Sequence, residues 1–283
     1  MKTSLIISLF MVLGIHTNPA TAESPQWRVE GFEQPESVLA HPTSGQLYVS
    51  NIQGNPLEVD GQGYISLITA DGKMLDQYWL TGLDAPKGMA IKDNLLYVAD
   101  LKKLRIIDLS KKQLLQSIDV PNSGMLNDIA VGANGTVYVT DFLNGGIYRL
   151  QHNQLEPWIG SDLLPHPNGI FFDGDYLVVA TWGENIQDDF STTVLGSLYR
   201  VEEQSANVTL MENAREIGNL DGITRIGDRL FVNDWINGNV FQYLHGELTL
   251  AFNAGKTAAD IAANGNELLV PVMFGAKVES YLP

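Results

Sequence analysis

Short apolar runs, separated by turn residues, recur along the chain in a fixed order. Six segments line up: Pro35-Glu36-Ser37-Val38, Pro86-Lys87-Gly88-Met89, Leu126-Asn127-Asp128-Ile129, Pro167-Asn168-Gly169-Ile170, Leu220-Asp221-Gly222-Ile223 and Ala258-Ala259-Asp260-Ile261. Each leads, through a polar turn, to a β-rich run: Leu47-Tyr48-Val49, Leu96-Tyr97-Val98, Val137-Tyr138-Val139, Leu177-Val178-Val179, Leu230-Phe231-Val232 and Leu268-Leu269-Val270. The turns carry pairs such as Asn134-Gly135 and Gly174-Asp175, which are hairpin signals between apolar runs. A third run follows in every unit, from Tyr64–Ile68 in the first to Lys277–Tyr281 in the last, and a fourth in five of them, for example Met74–Leu80.

The second residue of the repeat falls at 36, 87, 127, 168, 221 and 259, so the units are spaced 51, 40, 41, 53 and 38 residues apart. Four strands in about 40 residues describe a propeller blade. The sixth unit stops after its third strand, and Trp27-Arg28-Val29-Glu30 is the spare strand that can complete it. The expected fold is all-β: a six-bladed β-propeller of four-stranded blades, with the N-terminal strand closing the last blade so that no edge stays open. Residues 23–283 then form one domain.

This geometry gathers distant polar residues. The first strand of a blade lines the central channel, and the residue just before it sits at the rim. Four rim positions carry Glu36, Asn127, Asn168 and Asp221, and a fifth carries Lys87. Oxygen donors of this kind suit a hard divalent cation such as Ca²⁺, which also relieves the repulsion between two carboxylates in a narrow channel. The same groups could instead bond to strand ends and channel water, with Lys87 neutralising Glu36. The insertions 51–63 and 183–196 explain the two long intervals and read as binding loops on the same face. Phe142, Trp182 and Trp235, just past second strands, either stack on a ligand or plug the core.

The N-terminus reads as a secretory signal over 1–22. Lys2 supplies the positive charge, Leu5–Leu13 the apolar stretch and Ala20-Thr21-Ala22 the cleavage site. A periplasmic or secreted protein without a membrane anchor is expected. With no cysteine among 283 residues, disulfides, thiolate zinc sites and cysteine nucleophiles are excluded. A net charge of −16 disfavours nucleic acid and anionic lipid as partners. The sequence holds no G-x-S-x-G elbow, H-E-x-x-H zinc motif, P-loop or dinucleotide fingerprint. His41, His152, His166 and His245 lack metal-pair spacing. His166, near the rim, is a candidate acid or base, with a turn or surface role as the plainer reading.

The rim motifs resemble those of the senescence-marker-protein/gluconolactonase family of six-bladed propellers, and the likeness in repeat layout covers nearly the whole mature chain. The resemblance implies a central metal held by Glu36, by Asn168 in its Pro-Asn-Gly motif and by Asp221 in its Asp-Gly motif, with Asn127 contacting substrate or metal-bound water. It implies Ca²⁺ first, with Zn²⁺ or Mn²⁺ as further possibilities, and a small lactone or ester as substrate. Asp221 would be ligand and general base, and Asn127 would position substrate or water. The chain departs from the family in four places. Met125 stands where the family's sugar-lactone hydrolases carry an Arg, Gln34-Pro35 replaces a Gly before Glu36, Asp128-Ile129 follows Asn127, and Lys87 is added at the rim. Replacing an Arg by Met125 removes a charged anchor for hydroxyls. A less polar lactone or ester is then the expected substrate, with Lys87, Met125, Asn127, Phe142, Trp182 and Trp235 around it. The competing expectation is a non-catalytic propeller that binds a protein or small ligand, with a structural ion or none.

Overall fold

The computed structural model describes residues 24–283, and the signal expected over 1–22 lies outside them. Six four-stranded antiparallel sheets form the blades of a propeller. The innermost strands of blades 1 to 5 are Pro35–Ala40, Pro86–Lys92, Leu126–Val131, Pro167–Phe172 and Leu220–Ile226. In blade 6 the innermost strand is only Ala262–Asn264, and the segment before it is held by isolated bridges, one of them parallel between Asp260 and Ser37 of blade 1. A 3₁₀ turn at Met273–Gly275 is the one helical element among the described residues.

Ring closure occurs where the pattern places it. Trp27–Glu30 is the outermost strand of blade 6 and pairs antiparallel with Lys277–Tyr281, Trp27 facing Ser280 and Glu30 facing Lys277. Arg28 clamps this seam by an ion pair to the buried Glu279 at 2.5 Å, and Val29 inserts into the core between blades 6 and 1. The apolar interior is divided in the same way. Six clusters each join two neighbouring blades, and a seventh, containing Ile52, Met125, Phe142 and Trp182, covers one end of the channel.

The sequence also explains how the rim is aimed. In blades 1 to 5 the register of inner strand against second strand slips just after the rim residue, as at Pro35/Ser37 and Leu126/Ile129. Such a bulge re-aims side chains that strict alternation would send to opposite faces. The amide freed there is captured by a side chain of the second strand: Ser37 N–H by Ser50, Asp128 N–H by Thr140, Gly222 N–H by Asn233. The approach to the rim is fixed by residues ending second strands. Asp100 accepts from the Asp84 and Ala85 amides, and Asp141 from Gly124 and Met125. Glycines let the inner strands crowd the axis. A Cβ at Gly88 would meet the Asp128 carboxylate, and one at Gly222 the Ile261 amide.

The first insertion has little regular structure. The second differs from the expected loop: it is a two-stranded hairpin, Gly183–Ile186 paired with Thr192–Leu195, because its Thr-Thr-Val-Leu stretch finds a partner strand.

Deleting residues 24–31 exposes the Lys277–Tyr281 edge and removes Val29 from the closing core. A sharp fall in melting temperature is expected by calorimetry, and an unchanged melting curve would contradict closure by this strand.

Candidate functional site

At one mouth of the channel lies a cavity of about 440 Å³, within the range of small-ligand pockets. All nine candidate residues line it: Glu36, Lys87, Met125, Asn127, Phe142, Asn168, Trp182, Asp221 and Trp235. The five polar ones come from five different inner strands and are all buried, so the floor is a ring of desolvated groups around the axis.

The floor is rich in acceptors. Glu36 Oε2, Asn127 Oδ1 and Asn168 Oδ1 are buried and have no hydrogen-bond partner. Buried polar atoms are ordinarily paired, so three orphans on one floor mark a place for a donor or cation. Asn168 donates from its amide to the Leu220 carbonyl at 3.3 Å and to the Asp221 carboxylate, whose pKa that bond holds down against burial. Lys87 donates to the Ala85 carbonyl at 2.9 Å. Among the described residues its ammonium forms no ion pair, although it lies within electrostatic reach of Glu36 and Asp100. No three His, Cys, Asp or Glu side chains gather at one point among the described residues. The donor set is therefore two carboxylates and two amide oxygens.

A second acidic layer lies one residue deeper, at Asp128 and Asp260. Asp128 accepts the Ile129 and Ile170 amides, and Asp260 accepts the Ser37 hydroxyl at 2.6 Å. Four carboxyls thus lie along the axis with Lys87 as the cation packed among them. Burial first, then the charge of Asp221, pushes the Glu36 carboxyl well above its usual range, with Lys87 opposing. Asp221 rises through burial and the charge of Asp260. Asp128 rises through burial and the same Asp260 charge. Burial raises Asp260 to about 7 against the Ser37 hydrogen bond. Burial lowers Lys87, with Glu36 opposing. Each shift shows the floor resisting its full charge.

The aromatics pack in the core and also line the cavity. Phe142 and Trp182 are buried in the cluster with Met125, yet they also face the cavity. Phe142, Trp182, Trp235 and Phe274 form a chain of rings with centroids 5.4, 5.8 and 5.7 Å apart. His166 is half-buried with Nδ1 2.9 Å from the Phe142 carbonyl, and it does not line the cavity. Residues missed from sequence include Asp128 and Asp260 of the deeper layer, and Leu57, Phe190, Ile236, Met273 and Phe274 of the wall. Leu57 and Phe190 come from the insertions. The last three lie in loops joining second to third strands, which the repeat brings to this face.

Fold and site together define a six-bladed propeller with a polar-floored pocket at one mouth of its channel. No protein-family model and no curated protein matches the chain. Solved structures match it as a fold. Virginiamycin B lyase from Staphylococcus aureus, in selenomethionine form, aligns with TM-score 0.63 and 15% identity over 91% of this chain and 99% of that one. A catalytically inactive variant of that enzyme with quinupristin aligns with TM-score 0.61 and 15% identity over 91% and 98%.

Asp260 provides a pH test. Its pKa is raised in the folded state, so between about pH 4 and 7 the native protein holds a proton that the unfolded chain has released, and stability falls as pH rises through that window. Asp260→Asn keeps the shape and removes the charge. In chelator, its melting temperature is expected to match wild type near pH 4 and to exceed it by several degrees at pH 8. Equal curves at pH 8 would show that Asp260 carries no such strain.

Proposed function

We propose that the chain is an exported, metal-dependent hydrolase of the gluconolactonase-like type that opens a lactone or ester at the channel floor. The observation that carries this reading is the set of buried acceptors without donors, Glu36 Oε2, Asn127 Oδ1 and Asn168 Oδ1, beside the Asp221 carboxylate. Four oxygen donors, two of them carboxylates, fit a hard divalent cation, Ca²⁺ before Mn²⁺ or Zn²⁺. Lys87 alone leaves Glu36, Asp221 and the two deeper acids under-neutralised, so a dication would bring the axis closer to balance. The solved structures of like fold are those of an enzyme, so this fold can carry a reactive site, and the likeness indicates neither its position nor its substrate. Export rests on the leader sequence.

Glu36, Asn168 and Asp221 would hold the cation. When bound, it would polarise the substrate carbonyl and stabilise the charge that develops on its oxygen. The residues supply the rest. Asp221, raised in basicity by burial and by the charge of Asp260, would take a proton from the attacking water and pass it to the alkoxide that leaves as the acyl C–O bond breaks. Asn127, whose carbonyl oxygen is unspent, orients that water or the substrate. Lys87 has one backbone acceptor and further N–H bonds for a substrate oxygen. The walls of Met125, Phe142 and Trp182 keep bulk water from the reacting atoms.

Lys87 also supports a second reading, in which its ammonium balances Glu36 and the pocket binds without catalysis. Calorimetric titration with Ca²⁺, Mn²⁺ and Zn²⁺ separates the two. Asp221→Ala is expected to abolish high-affinity binding, and His152→Ala, in the turn between third and fourth strands of blade 3, to leave it unchanged. Equal affinity in both variants would refute the rim site. Metal binding with no turnover across a panel of lactones and aryl esters would favour the non-catalytic reading.

A further inference from the structure

Above its floor, the cavity is walled mainly by apolar side chains, with Lys256 as the one cation on the wall. The walls are Ile52, Leu57, Met125, Ile236, Met273 and the arc of rings from Phe142 to Phe274. The polar groups that do reach the cavity are largely spent within the protein. The Trp182 indole N–H donates to the Phe190 carbonyl at 2.8 Å. Gln34 Oε1 accepts the Gly54 amide at 3.1 Å, Asp189 Oδ1 holds the Ser191 amide and hydroxyl, and Thr257 Oγ1 accepts the Phe274 amide at 3.2 Å. Unspent polarity lies at the floor, on Lys87, Asn127, Asn168 and Glu36, and at one point of the wall, the exposed Lys256, whose ammonium forms no hydrogen bond or ion pair among the described residues.

The mouth is apolar as well. Leu57 is 49% exposed, Phe190 39% and Phe274 66%, on three separate loops around one opening. Large apolar side chains grouped and exposed around a cavity mark a surface that a ligand covers. A polyhydroxylated ring entering here would lose its water and find too few partners along the wall to replace it.

We propose that the ligand of this pocket is a largely apolar carbonyl compound. Its single oxygen-bearing head lies on the floor, where a free N–H of the Lys87 ammonium donates to it. Its alkyl or aryl body lies along the Phe142–Trp182–Trp235–Phe274 arc and emerges between Leu57 and Phe190. This rests on the reading above only in taking the floor as the reacting end. Met125 contributes by filling with a thioether the space beside the Asn127 floor.

The test uses binding of compounds that cannot be turned over. The full-length mature chain is titrated calorimetrically with 2-ethyl-, 2-butyl- and 2-hexylcyclopentanone, which carry the carbonyl without a scissile bond, and with glucono-δ-lactone. Affinity is expected to rise about fourfold per added methylene, the free energy of burying that group, and the sugar lactone is expected to bind more weakly than the ethyl ketone. Trp235→Ala and Phe274→Ala, at half-buried and exposed positions that tolerate truncation, should at least halve the logarithmic slope. A flat ketone series, or glucono-δ-lactone binding as tightly as the hexyl ketone, would overturn the proposal. So would a full slope in both variants. The wild-type series decides even if a variant misfolds. Steep ketone binding with no hydrolysis of any lactone or ester would sink the hydrolase reading and leave the ligand class standing. Turnover of glucono-δ-lactone with a flat ketone series would do the reverse.

Discussion

Ring closure is the constraint from which the rest follows. Each sheet can bury its faces only against a neighbour on either side, so the six inter-blade cores exist together or not at all. The last seam is made by Trp27–Glu30 pairing with Lys277–Tyr281, with Arg28 and Glu279 across it and Val29 beneath it. Once the ring closes, the six inner strands face one another about a single axis. Whatever the rim positions carry is forced together and out of water.

That enforced proximity gives the site its chemistry. Elsewhere, Glu36, Asp128, Asp221 and Asp260 would be ordinary solvated acids. Stacked in a channel, all four are raised by burial, the charge of Asp260 adds to the rise of the other three, and one lysine cannot balance them. The bulges matter here. They turn two successive residues toward the axis in place of one, and so add the Asp128 and Asp260 layer beneath the rim. The glycines at 88, 169 and 222 make that crowding sterically possible. The polar floor is thus a product of closure, whereas the apolar wall above it is a product of the loops.

The legible part of the molecule was the part that repeats. Glu36, Lys87, Asn127, Asn168 and Asp221 could be placed together because each occupies the same position in its unit, and a ring converts equal positions into neighbours. The spare strand at Trp27 was legible because blade 6 lacked one. The deeper acids were not, since reading a strand by alternation sends the residue after the rim away from the channel, and only the bulge reverses this. Asp260 was further hidden behind Ala259, a rim position without a polar group. Leu57 and Phe190 were illegible for the opposite reason: they lie in insertions that have no counterpart in the other units. The hairpin at Gly183–Leu195 was read as a loop because its pairing is local to one blade.

The central claim is that the buried oxygens of the floor form a cation site. Its most direct measurement is a crystal structure of the mature chain grown with Mn²⁺, with data collected where manganese scatters anomalously. The account predicts one strong anomalous peak on the channel axis, within coordination distance of Glu36, Asn168 and Asp221, with Lys87 displaced to the side. A floor with no such peak, and the Lys87 ammonium lying between Glu36 and Asp221 in its place, would contradict it.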